Sequence, residues 1–295
     1  MTSLNLRQVL LSSIFVYSAI FFTLFSTNSY SQTFTFTAIP DQDETRLKQR
    51  FDQVAVYLQN ALEVDVQYIP VKSYSAAVSA FRNNQVQLAW FGGLSGVQAR
   101  RLVPGSHAIA QGFEDQYFKT LIIANTQTGL KKSAQLPKEV SIFSFTFGSK
   151  GSTSGRLMPE FYLQKFYGKP SKDTFKHLGF SGDHSRTIAL VKTGAYDLGA
   201  VNFKVWEQAL RDPENDLSEV KVIWETPHYP DYQWTIRGDA DEFWGAGFSE
   251  KVKQTLLSID QAKLLNAFPR SKFVSADSSD YKVILETAQA IGLID

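Results

Sequence analysis

Polar and apolar positions change their period repeatedly along the chain. Thr33 to Thr37 alternates the two kinds, which predicts a strand, and Ile39-Pro40-Asp41 forms its exit. Leu47, Phe51, Val54, Leu58 and Leu62 then recur at helical spacing. Val64 to Val71 predicts a second strand, and Ser73 is placed to cap a helix from Tyr74 to Asn83. Val86 to Phe91 reads as a third strand, closed by Gly92-Gly93 and followed by a short helix, Ser95 to Leu102. A strand from Tyr117-Phe118 to Ala124 completes this first set, which the chain leaves through Asn125 to Gly129 and Lys131-Lys132-Ser133. A second set has strands at Ile142 to Phe147, Phe175 to Phe180 and Leu198 to Asn202, with helices beginning near Leu157, Ser185 and Phe203. Val220 to Glu225 leads through Thr226 to Asp231 into the strand Tyr232 to Ile236, and the helical segments Glu250 to Ile259, Gln261 to Phe268 and Tyr281 to Ile291 end the chain. Strands alternating with helices predict an α/β protein with parallel sheets that receives ligands at the carboxyl ends of its strands. Ile39-Pro40, Tyr74 and Trp90-Phe91 lie at such ends. Two such sets, with their loops facing one another, describe two α/β lobes around a hinged cleft.

The loop after the Ile142 to Phe147 strand changes the picture most. Gly151-Ser152-Thr153-Ser154-Gly155 puts three hydroxyls at or before a helix N-terminus. Such an end carries unpaired N–H groups and the positive end of the helix dipole, and the glycines let a ligand approach the backbone. The combination suits an oxyanion held by neutral donors, although ordinary capping of a helix is the commoner use of the same residues. A phosphate-binding P-loop is excluded, because Lys150 precedes Gly151 rather than following a second glycine. A nucleophile elbow is excluded as well, because the centre of its G-x-S-x-G pattern is Thr153. Lys150 and Arg156 are expected to be solvated, since a cradle of neutral donors does not need a direct counter-ion.

Residues 1–31 contain a single charge, Arg7, then the apolar run Val9 to Phe25 and a polar stretch in which Ser29 and Ser31 suit a signal-peptidase site. The expectation is a cleaved signal peptide over 1–31 with Gln32 as the mature start; retention as a single-span anchor is the competing reading. The 295 residues include no cysteine, which rules out disulfides, thiolate metal sites and cysteine nucleophiles. Without Arg7 the basic residues number 29 against 29 acidic ones, so neither a nucleic acid nor an anionic membrane is expected as partner. The four histidines, at 107, 177, 184 and 228, lack zinc-binding spacing, so neither metal nor cofactor is expected.

Five motifs taken together are more specific than any one of them: Ser73-Tyr74-Ser75-Ala76-Ala77-Val78, Val86 to Gly92, Gly151 to Gly155, Ser181-Gly182-Asp183-His184 and Tyr232 to Arg237. Over nearly the whole mature chain the sequence resembles the substrate-binding component of phosphonate/phosphite-type ABC importers, including a subgroup named for selenate transport. The resemblance implies a type II periplasmic-binding-protein fold, with residues 32–124 and 226–295 in one lobe, 125–225 in the other and a two-segment hinge between them. It implies a monomeric periplasmic protein that delivers a small tetrahedral oxyanion to an inner-membrane permease. It also implies a ligand set. Tyr74 corresponds to the tyrosine that donates to the anion, Ser152, Thr153 and Ser154 to the hydroxyl cradle, His184 to a histidine at the opposing helix start, and Asp231 to the cleft acid of the crossover loop. A further tyrosine position falls on Tyr117 or Phe118, and Trp90 is either a ligand wall or core.

Two other functions remain to be weighed at this level. A Ser152-His184-Asp231 hydrolase would need the histidine bonded to both partners as a base, while the cradle needs histidine and serine as donors to one ligand. An exported sensory module is favoured if residues 1–31 stay attached. Among oxyanions, a buried Asp231 favours phosphite or phosphonate, which carry a proton to share, over sulfate and selenate.

Overall fold

The computed structural model describes residues 32–295; the expected signal peptide lies outside the described residues. The chain runs β1 (Phe34–Ala38), α1 (Glu44–Leu62), β2 (Val66–Tyr68), α2 (Tyr74–Arg82), β3 (Leu88–Phe91), α3 (Gly93–Leu102) and β4 (His107–Gly112). It continues through β5 (Thr120–Asn125), β6 (Ser144–Phe147), α4 (Met158–Tyr167), β7 (His177–Phe180), α5 (His184–Lys192), β8 (Leu198–Asn202), α6 (Phe203–Arg211), β9 (Val220–Glu225) and β10 (Gln233–Ile236). The last part contains α7 (Ala240–Trp244), α8 (Phe248–Leu257), α9 (Ala262–Ala267), β11 (Phe273–Ser275) and α10 (Lys282–Ala290).

These strands form two sheets, ordered β11-β4-β10-β3-β1-β2 and β7-β6-β8-β5-β9. The expected parallel pairing holds where strand and helix alternate, in β2-β1-β3 and β7-β6-β8. It fails at β10, which runs antiparallel between β3 and β4, at β5, antiparallel between β8 and β9, and at the edge strand β11, antiparallel to β4. The first two exceptions have one cause. The chain passes from the first sheet to the second between β4 and β5 and returns between β9 and β10, and each arriving strand inserts with reversed direction. The two crossing segments pair with each other through the Phe118 and Tyr229 backbones, at 2.9 and 3.0 Å. One expectation is corrected here. The strand at 117–124, read as the end of the first lobe, belongs to the second sheet, because its ladder partners β8 and β9 are there.

Apolar alternation builds the core of each sheet. In the first, Phe34, Phe36, Phe51, Trp90, Trp234 and Phe268 are fully or almost fully buried and meet largely edge to face, as aromatic quadrupoles prefer. In the second, Phe145 stacks on Phe175 at 4.6 Å and meets Phe147 edge-on at 4.9 Å. Beside the crossing segments, Arg270 and Asp115 form a buried bidentate pair at 2.7 and 2.8 Å. Neither charge is left without a partner, which is the condition for keeping ions in a core.

Candidate functional site

The loop after β6 folds into a wide first turn. Ser152 caps it, its Oγ accepting from Gly155 N–H at 2.9 Å, and the Leu157 N–H reaches back five residues to the Ser152 carbonyl at 3.0 Å. This π-type turn over Thr153–Leu157 precedes α4 and holds Ser152, Thr153 and Ser154 buried side by side. Pi-turns frequently mark functional positions in helices. The glycines are there for closeness. A Cβ at Gly155 would come within 3.0 Å of both His184 Cε1 and Ser152 Oγ, and one at Gly151 within 3.0 Å of Tyr74 Cβ.

Elements of both sheets converge on this turn. Tyr74 opens α2 behind its cap Ser73, whose Oγ accepts from Ala76 N–H at 3.1 Å. Burial first, then the nearby Asp41 charge, raises the Tyr74 hydroxyl well above its ordinary pKa, against a hydrogen bond with Ser152; it is therefore a proton-bearing donor. The N-terminus of α3 contributes backbone donors: Leu94 N–H to Thr153 Oγ1 at 3.0 Å and Gly93 N–H to Asp231 Oδ1 at 2.9 Å. Arg156 is largely buried between Glu160 at 2.6 Å and the Phe147 ring at 4.5 Å, so the expectation that it is solvated is wrong. Lys150 lies over the Phe180 ring at 5.3 Å.

His184 and Asp231 complete the cluster with opposite chemistry. Burial pushes the His184 imidazole down to a pKa of about 3, so it is neutral. Its Nδ1 accepts from Asn202 N–H at 3.3 Å, which puts the proton on Nε2, facing Ser154 Oγ at 3.4 Å. Burial pushes the Asp231 carboxyl up to about 7, against the Gly93 N–H and the Thr153 hydroxyl, which favour the charged form. Its Oδ2 is buried without a hydrogen-bond partner. The cluster thus presents hydroxyl and imidazole donors, and one acceptor that is unsatisfied. The serine, histidine and aspartate do not form a triad, since His184 meets serine on one nitrogen and a backbone amide on the other.

Two of the expected site residues are placed elsewhere. Tyr117 is 58% exposed, its ring against Phe113, whereas Phe118 is fully buried against Phe203 and Tyr232. The bridge to Tyr229 determines this, because alternation along an extended segment turns one neighbour inward and the next outward. Trp90 belongs to the aromatic core, stacked on Tyr232 at 5.6 Å and tilted against Trp234 at 5.3 Å. Sequence reading missed the α3 N-terminus, because Gly92-Gly93 looked only like the end of a strand. It also missed Asp41, Asn202 and Tyr232, which stand behind His184.

The two pH-sensitive groups act in opposite directions on stability. His184 has its pKa lowered, so its contribution is complete above about 6.5 and is lost as pH falls towards 3. Asp231 has its pKa raised, so its contribution is complete below about 3.8 and is lost as pH rises through 7. We predict that His184→Gln removes an acid-side destabilisation of up to about 1.4 kcal/mol per pH unit between pH 6.5 and 4. Chemical denaturation across that range checks it; an unchanged slope would mean that His184 is protonated in the fold.

Two sheets joined by a paired crossover, with a polar cluster where their loops meet, define the class of cleft-type solute-binding proteins. Residues 36–281 match the family model described as "ABC transporter, phosphonate, periplasmic substrate-binding protein". The chain is 39% identical, over 98% of its length and 99% of the relative's, to a probable ABC transporter phosphite binding protein, PhnD1, of Prochlorococcus marinus (strain MIT 9301). The solved structure of PhnD1 from that organism, in complex with methylphosphonate, superposes with a TM-score of 0.86 at 40% identity, covering 90% of this chain and all of that one. A binding protein component of an ABC phosphonate transporter from Pseudomonas aeruginosa shares the fold, with a TM-score of 0.76 at 20% identity over 87% and 85% of the two chains. The chain belongs to the phosphonate-type periplasmic substrate-binding family of ABC transporters. It is a binding component that works with a membrane permease, not an enzyme.

Proposed function

We propose that this protein captures phosphite or a short phosphonate such as methylphosphonate, held by Tyr74, Ser152, Thr153, Ser154 and His184 as donors and by Asp231 as acceptor. The observation that carries the reading is the buried, unpartnered Oδ2 of Asp231 beside a cradle of neutral donors. An anion that brings a proton supplies the missing hydrogen bond; sulfate and selenate bring none and meet a second negative charge whenever the carboxyl is ionised. The Prochlorococcus relative's name, a probable phosphite binding protein, and the methylphosphonate in its solved structure support the same choice. The mature protein starts at Gln32 after cleavage of residues 1–31, acts as a monomer in the periplasm and binds no nucleic acid. Residues 32–118 and 230–295 form one lobe and 119–229 the other. Calorimetric titration of the mature protein against phosphite, methylphosphonate, 2-aminoethylphosphonate, phosphate, selenite, selenate and sulfate tests the ligand. Phosphite or methylphosphonate should bind tightest; selenate or sulfate above every phosphorus oxyanion would overturn the assignment.

A further inference from the structure

Behind the imidazole of His184 lies a closed ring of hydrogen bonds drawn from four separate chain segments. The His184 backbone N–H donates to the Asp41 carbonyl at 3.0 Å. One carboxylate oxygen of Asp41, Oδ2, accepts from the Tyr232 hydroxyl at 2.8 Å. That hydroxyl oxygen accepts in turn from Asn202 Nδ2 at 2.9 Å. The Asn202 backbone N–H closes the ring by donating to His184 Nδ1 at 3.3 Å. All four residues are buried. Each is also anchored locally. Tyr232 stacks on Trp90, and Asn202 caps α6, its Oδ1 accepting from Val205 N–H at 2.6 Å.

The ring joins the two sheets. Asp41 follows β1 and Tyr232 precedes β10, both of the first sheet; His184 opens α5 and Asn202 ends β8, both of the second. Two of the four bonds, His184 to Asp41 and Asn202 to Tyr232, therefore run from one sheet's loops to the other's. They break whenever those loops separate, and in the same event the start of α5, which carries His184, loses its hold on the first sheet. A tyrosine hydroxyl is suited to this junction because it donates and accepts at once.

We propose that Tyr232, Asp41 and Asn202 are positioning residues for His184, forming a ring that closes with the cleft, so that the Tyr232 hydroxyl governs how long a bound anion is retained. This rests on the reading above that His184 faces the anion. Encounter takes place while the loops are apart and the ring is open, so the ring acts on release and not on capture.

The test is stopped-flow tryptophan fluorescence on the full mature protein, with Trp90 against Tyr232 as the reporter, using methylphosphonate and, in parallel, selenate. Tyr232→Phe keeps the stacked ring and removes the hydroxyl; Asn202→Ser keeps a cap for α6 and removes the donor. Each should raise the release rate about tenfold and leave the capture rate within about twofold. Because both remove the same link, the double variant should be no worse than either single one. Independent, multiplying effects would overturn the proposal, as would a changed capture rate or a wild-type release rate in both variants. Should Tyr232→Phe fail to fold, the release and capture rates of Asn202→Ser decide alone. Tight binding of selenate with methylphosphonate ignored would overturn the ligand assignment only, and the ring is then read from selenate release.

Discussion

Asp231→Asn should lower affinity for phosphite and methylphosphonate by about a hundredfold or more while raising that for sulfate relative to them. The wild-type carboxyl spends one oxygen on Gly93 N–H and leaves the other buried and unpaired. Its pKa of about 7, raised by burial, keeps the carboxylate form available to accept a ligand's proton from neutrality upwards. A ligand carrying an acidic proton donates it to Oδ2 and gains a charge-assisted bond, worth about 1.5–3 kcal/mol. An asparagine of the same shape can place an N–H donor at that point. It then opposes the ligand's own proton, whereas a fully deprotonated anion meets a donor in place of a negative charge. Both changes act in the same direction on the ratio of the two ligand types. Calorimetry of the variant with methylphosphonate and sulfate checks this, and an unchanged ranking would remove Asp231 from the site.

Ser154→Ala should weaken binding by roughly ten- to a hundredfold, corresponding to about 1.5–3 kcal/mol for one hydrogen bond to a charged ligand. Thr153→Ala should cost at least as much, because Thr153 Oγ1 also accepts from Leu94 N–H at 3.0 Å and so links the second sheet's loop to the first sheet's helix α3. Ser152→Ala differs in kind. Its Oγ caps the π-turn through Gly155 N–H, so stability should fall by about 1 kcal/mol along with affinity. Titration together with thermal unfolding separates the three. Wild-type affinity in both Ser154→Ala and Thr153→Ala would overturn the cradle.

Local chemistry explains why much of the site was legible before the fold. The three hydroxyls of Ser152 to Ser154, the cap Ser73, and the glycines at 151 and 155 act within a few residues of themselves, so their pattern survives in one dimension. The α/β rhythm was legible for the same reason, since period and turn chemistry are local properties. Tyr74 and His184 could be named because they sit inside motifs whose combination resembles a known family, and Asp231 because the same resemblance places an acid in the crossover loop.

What the tertiary structure alone decided concerns partners far apart in sequence. Whether Tyr117 or Phe118 turns inward depends on pairing with Tyr229, more than a hundred residues later. The strand at β5 joins the second sheet because its ladder partners lie there, and no local pattern records strand partners. Trp90 looks the same in sequence whether it walls a ligand or fills a core; Tyr232, Trp234 and Phe268 settle it. The shifts of Asp231 and His184 arise from burial, which exists only once both sheets have come together. The ring through Asp41, Asn202 and Tyr232 is the clearest instance: ordinary polar residues from three separate stretches become His184's support only through long-range contact, because hydrogen bonding depends on distance in space and not on position along the chain.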